Sequence, residues 1–151
     1  MEPVALVERY LRLAEERRLE EAAALLAPGA AIVFPGNRTY RTLDEMAADA
    51  RRRYRWVRKR IERWDVLPGP DGATVYCLGT LSGEDLRGRP FDGVRFVDRF
   101  EVRDGLIYRQ EVWNDLAETG IVRPGAALSA AGDRELAVRR LHGSERYGPL
   151  A

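Results

Sequence analysis

Along residues 3–17, apolar side chains recur at Val4, Val7, Leu11 and Ala14 with charges between them. That spacing predicts an amphipathic helix, and Pro3 suits its first turn. The stretch RLEEAAALLAPG reads as a second, short helix stopped at Pro28-Gly29. AAIVF then reads as a short strand and PGNRTYRT as a loop. Thr42 precedes Asp44 and Glu45, an acceptable helix start, and the third helix is expected to run to about Val57.

From there the period changes to two. KRIERWDVLPG, GATVYCLGTLSGEDL, PFDGVRFVDRFEV and GLIYRQEVWNDL read as four long strands. Three helices followed by a meander of strands argue for an α+β layer fold. Residues 119–151 form a tail broken at RPG and AAG, with a short helix expected from Asp133 to His142. Its apolar set Leu128, Leu136, Val138 and Leu141 needs a surface, so the tail is expected to cover a partner subunit or a cavity mouth.

One position breaks the strand pattern. Val94, Phe96, Phe100 and Val102 share a face with Asp98. A carboxylate on an apolar face must find donors or stay protonated. Asp104-Gly105 is a two-residue hairpin turn. Unbroken pairing beyond it sets Asp98 opposite Glu111. A one-residue bulge near Tyr108 instead turns Gln110, Val112 and Asn114 inward and Glu111 and Trp113 outward. Periodicity leaves both registers open.

Composition narrows the function classes. With 151 residues, 45% hydrophobic and 32% charged, the chain fits one globular domain. A net charge of +1 provides no global field toward nucleic acid or anionic lipid. Lys59 is the one lysine among 25 basic residues, which reads as coding bias toward arginine. The run from Arg51 to Arg63 offers a nucleic-acid face, with Tyr54 and Trp56 for stacking. Tyr54, Val57 and Ile61 keep an apolar stripe there, however, and a solvated basic face is the better reading. No apolar run approaches the roughly 20 residues that span a bilayer. No early stretch suits a signal peptide, and Cys77 alone cannot form an internal disulfide, so a reducing cytoplasm is expected. One cysteine and one histidine make no metal set, and no glycine motif cradles a phosphate.

The helix VERYLRLAEERRLEEAAALLAPGA, the strand IVFPG, YRTLDEMAA and the closing DRFEVRDGLIYRQEVWND resemble the nuclear transport factor 2-like superfamily. That group includes ketosteroid isomerases, scytalone dehydratase, limonene epoxide hydrolase and SnoaL-like polyketide cyclases. The resemblance covers 1–118 as one domain and leaves 119–151 as an extension. It implies a cone-shaped curved mixed sheet wrapped around three helices, a central apolar cavity and a homodimer through the outer sheet face. Tyr10 looks like the isomerases' oxyanion tyrosine and Asp98 like their protonated aspartate, both as hydrogen-bond donors. Tyr10 also reads as a core tyrosine whose hydroxyl bonds Asp98. The isomerases' general base falls on Phe34. The epoxide hydrolases' arginine–x–aspartate pair falls on Leu78 and Thr80, and their second aspartate on Val112. His142, the one histidine, lies outside the matched region.

The candidate pocket is therefore Tyr10, Phe34, Tyr76, Leu78, Thr80, Phe96, Asp98, Gln110, Val112 and Asn114. Apolar walls with a few polar groups suit a small lipophilic carbonyl- or hydroxyl-bearing ligand. A cofactor-free isomerase, cyclase or dehydratase would use Tyr10 and Asp98 on the oxygen, with Glu111 as a candidate base. A non-catalytic binding or dimerisation module of the same fold is the alternative. Neither nucleic acid, membrane, metal nor cofactor is expected.

Overall fold

The computed structural model describes residues 1–123. Helix α1 (Pro3–Glu15) carries the predicted stripe and buries Leu6, Val7, Tyr10, Leu11, Leu13 and Ala14. Helix α2 (Leu19–Ala23) is shorter than expected, and strand β1 (Leu26–Phe34) begins before Pro28-Gly29. The Pro-Gly pair is thus an irregularity within a strand. Pairing with the last strand slips between Leu26 and Ala31, and Gly29 takes φ 73° there.

The expected loop holds a 3₁₀ turn (Pro35–Asn37) and a short strand β2 (Arg38–Tyr40). Asp49 anchors it, accepting from Tyr40 Oη and pairing with Arg38 at 3.0 Å and Arg53 at 3.2 Å. Helix α3 (Leu43–Ala50) starts as predicted, with Thr42 Oγ1 accepting from Glu45 N at 3.2 Å. It stops well short of Val57. Strand β3 (Tyr54–Gly69) follows after a three-residue turn. Tyr54, Val57 and Ile61 are three and four apart, a helical spacing; a register slip between Tyr54 and Trp56 accommodates it in a strand, whose extended backbone then alternates exposed Arg58 and Arg60 with inward Val57, Lys59 and Ile61. The helical spacing of Tyr54 and Val57 hid the first residues of the strand, which was expected from Lys59 onward.

Strands β4 (Gly72–Asp85), β5 (Pro90–Arg103) and β6 (Leu106–Asn114) complete a six-stranded sheet ordered β2-β1-β6-β5-β4-β3. Only β1 and β6 pair in parallel. The sheet curves around the helices as an open cone. Asp104 and Gly105 both take positive φ, 51° and 76°, as a tight hairpin turn requires. Beyond it Val102 pairs with Ile107, the register slips, and Phe100 then meets Gln110 and Asp98 meets Val112. Tyr108 is the extra residue, so the bulged register is the one adopted.

Strand β4 overturns one expectation. Its inner face carries the buried Ala73, Val75, Cys77 and Leu81. Tyr76, Leu78 and Thr80 therefore lie on the outer face, level with Arg99, Val97 and Arg95. The inner set, Ala73, Val75, Cys77, Gly79 and Leu81, is apolar or small throughout, whereas the outer set carries Thr74, Tyr76, Thr80 and Ser82, so the alternation itself pointed to the observed face. At Gly79 the β3 backbone leaves no room for a side chain: a Cβ there would lie 1.9 Å from Arg60 O.

No described helix is long and apolar enough to cross a membrane. After β6, Leu116 O accepts from Ile121 N at 2.9 Å and Val122 N at 3.2 Å, and both side chains pack on the core. The rest of the tail, with its expected helix, Leu128 and His142, lies outside the described residues.

Candidate functional site

A pocket of about 260 Å³ opens between α1 and β3. Leu11, Phe34, Met46, Val57 and Ile61 make its apolar walls. Glu8, Arg12 and Glu15 of α1 stand along its rim, and Tyr10, Lys59 and Gln110 bring polar atoms to it. Glu15 also ties the two elements together, accepting from Lys59 N at 2.8 Å.

The polar groups form one network. Tyr10 Oη donates to Gln110 Oε1 at 2.6 Å, deep in the core. Lys59 Nζ lies 2.8 Å from Asp98 Oδ2 and 5.4 Å from the Phe96 ring centroid. Asp98 is fully buried between Cys77 on β4 and Val112 on β6. Neither of its oxygens completes a well-aligned hydrogen bond, so the Lys59 contact is chiefly electrostatic. The Lys59 side chain is 23% exposed and lines the pocket, whereas its counter-ion Asp98 is fully buried and does not.

Burial pushes the Asp98 carboxyl up, and Lys59 and then Gln110 pull it part of the way back. Burial pushes the Lys59 ammonium down, but the adjacent Asp98 reverses this and the net direction is up. A cation 2.8 Å from Oδ2 favours the ionised carboxylate, so the two groups form an ion pair. Burial and then Asp98 push the Cys77 thiol up to about 12 and raise the Tyr10 phenol well above its ordinary value. Tyr10 and Cys77 are thus protonated, and the cations that line the pocket are Lys59, paired with Asp98, and Arg12 and Arg17 on the α1 side.

The family model described as a SnoaL-like domain matches residues 7–110, more than half of the chain. The chain belongs to the SnoaL-like domain family. No curated protein matches the sequence. Among solved structures, TerC crystallised with polyporic acid superposes with a TM-score of 0.67 at 19% identity, covering 79% of this chain and 95% of TerC. An NTF2-like protein of unknown function from Burkholderia pseudomallei gives 0.63 at 20% identity, covering 84% and 97%. A putative SnoaL-like polyketide cyclase from Jannaschia gives 0.58 at 22% identity, covering 82% and 97%. At such identities these likenesses carry the fold, and they agree with the SnoaL-like assignment.

Within this SnoaL-like domain, the sequence-predicted residues divide. Tyr10, Phe34 and Gln110 line the pocket. Phe96 and Val112 are buried in the core around Asp98. Asn114 is half-buried at the end of β6, where its Oδ1 accepts from Leu116 N at 3.1 Å. Tyr76, Leu78 and Thr80 are on the wrong side of the sheet. Asp98 faces inward as predicted, but as the partner of Lys59 and not as a protonated donor on the cavity wall. Tyr10 bonds Gln110 and not Asp98. Glu111 faces outward, 2.9 Å from Arg99 and 3.1 Å from Arg109, so it is no base for this pocket. Sequence reasoning missed Lys59. The available signal was its singularity, one lysine where every other basic position is arginine. Among the described residues, no three His, Cys, Asp or Glu side chains converge as a metal site.

Proposed function

We propose that this protein is a cofactor-free enzyme of the isomerase, cyclase or dehydratase kind. It acts on a small lipophilic carbonyl- or hydroxyl-bearing molecule held between α1 and β3. The observation that carries this reading is Lys59, a charged donor lining a pocket with apolar walls and a charged rim, its counter-ion Asp98 fully buried behind it. The volume of about 260 Å³ suits a compact ligand, near the lower end of the roughly 300–1,000 Å³ common for ligand pockets.

A substrate carbonyl oxygen placed against Lys59 Nζ gains a preorganised cation in a partly dry site. Charge that develops on that oxygen as an α-proton leaves is stabilised more than the ground state is. Asp98 keeps the ammonium charged and in place. Glu8, at the rim and paired only with the exposed Arg12 among the described residues, is the carboxylate available to take the proton. The folds shared with a putative polyketide cyclase and with a protein crystallised with polyporic acid favour an oxygen-rich cyclic or polyketide-like substrate. The working unit is a homodimer joined through the outer sheet face.

The test is exchange of the α-protons of 2-tetralone in D₂O, followed by NMR. The wild type accelerates exchange over buffer, and the paired variant Lys59→Met with Asp98→Asn loses about 10²–10³ of that acceleration. Phe34, where the isomerases' base would stand, favours a second reading, a binding module without chemistry. Saturable 2-tetralone binding with no faster exchange would select it. Absence of both would remove the pocket from consideration.

A further inference from the structure

Arg17 takes φ 60°, in the left-handed region where an L side chain crowds its own backbone. It stands one residue past the C-cap of α1, which is Glu16. There Arg17 N donates to Ala14 O at 3.1 Å and Arg18 N to Leu13 O at 2.9 Å. Those two bonds make a Schellman end, whose turning residue is usually glycine. Glycine would hold the turn without strain, so arginine stands here against the preference of the backbone. Strain kept at one residue points to work done by its side chain.

Arg17 is exposed and lines the pocket. The other two cations there are engaged, Arg12 by Glu8 at 3.2 Å and Lys59 by Asp98 at 2.8 Å. The acids near Arg17 in sequence are engaged as well. Glu16 and Glu21 pair with Arg18 at 3.4 and 2.6 Å, and Glu15 accepts from Lys59 N at 2.8 Å. Among the described residues, the Arg17 guanidinium makes one hydrogen bond, from Nη1 to Ala14 O at 3.0 Å, and no ion pair. That bond stitches the helix end and leaves the Nε–Nη2 edge, a planar fork of two donors matched to a carboxylate. We propose that Arg17 is the anion-recognising residue of this pocket and that the ligand carries a carboxylate besides its carbonyl or hydroxyl. The inference rests on the reading of this pocket as the functional site and narrows the substrate class to oxo- or hydroxy-carboxylic acids. A carboxylate fits better than a phosphate, because Glu8 and Glu15 share the rim and repel one negative charge less than two.

Titration calorimetry with 3-acetylbenzoate and 4-acetylbenzoate, each against its methyl ester, tests this. The two acids keep the ketone and differ in reach. The wild type binds at least one acid about tenfold more tightly than its ester, the discrimination of one charge-assisted contact at an exposed site. Arg17→Gly abolishes that preference, leaves ester affinity unchanged and does not lower Tm, because glycine relieves the turn. Arg17→Lys keeps the charge, loses the fork and retains only part of the preference. Equal binding of acid and ester by the wild type, in both pairs, overturns the inference. A preference that survives Arg17→Gly and disappears in Arg12→Gln overturns it by moving the anion to Arg12. A lower Tm with the preference intact overturns it by assigning Arg17 to the helix end alone. The underlying site fails separately: no saturable binding of any acid or ester removes the pocket reading and this inference with it.

Discussion

Asp98 shows how one residue can be placed well by pattern and assigned poorly by chemistry. Its inward direction followed from the alternation of Val94, Phe96, Phe100 and Val102, and it is fully buried. Its partner came from another strand, which no local pattern reaches. The ion pair makes a specific prediction. Lys59→Met alone strands a buried carboxylate and destabilises by about 3–5 kcal/mol. Adding Asp98→Asn recovers most of that loss, and a double-mutant cycle by urea unfolding measures the coupling. The pH dependence has two signs. Burial raises the folded Asp98 pKa, so as pH climbs above the ordinary aspartate value of about 3.9 the unfolded chain ionises first and stability falls until the folded value is passed. Asp98→Asn abolishes that acidic-side slope. The net rise at Lys59 gives stability that is full below its ordinary value and is lost as pH climbs through the folded one. Lys59→Met removes that alkaline loss. An unchanged pH profile in both variants would mean that the two groups do not titrate with folding.

At the level of elements, most of the fold was legible. The α1 stripe, the Thr42 start, the Asp104-Gly105 turn and three of the long strands stand where periodicity put them. What failed had local causes. Pro28-Gly29 looked like a helix stop and is a strand irregularity. Residues 54–57, expected as the end of the third helix, open β3 instead, because Tyr54 and Val57 keep a helical spacing. The face of β4 was legible in the apolar set Ala73, Val75, Cys77 and Leu81, and the larger side chains Tyr76 and Leu78 were placed inward against it. The close approach of β3 to β4 at Gly79 gives an element-scale prediction. At Gly79 an added methyl would sit 1.9 Å from the Arg60 carbonyl oxygen, on a backbone that cannot swing aside. Gly79→Ala should cost about 2–3 kcal/mol, the upper range for overpacking, as a lower urea midpoint. Near-wild-type stability would show that β3 is free to move, and with it one wall of the pocket.

For the whole molecule, the curved sheet separates two surfaces with different work. The concave side holds α1 and the pocket. On the convex side Leu78, Val97 and Trp113 form one row across three strands, with Trp113 51% exposed. Arg99, Glu101 and Glu111 form an ion-pair cluster beside it. A large aromatic ring standing in an apolar row and rimmed by paired charges is the pattern of an interface centre with a polar margin. The homodimer proposed through this face therefore has Trp113 as its anchor. Trp113→Asp places a charge at that centre and should convert a sedimenting dimer to a monomer. Because the β5–β6 register faces Gln110 and Val112 away from Trp113, 2-tetralone binding should survive the change within about threefold, well under the tenfold that one lost hydrogen bond would cost. A wild type that sediments as a monomer across the accessible concentrations refutes the interface. A monomeric variant that no longer binds the ketone shows instead that dimerisation shapes the pocket, and α1 and β3 alone would then be an incomplete site.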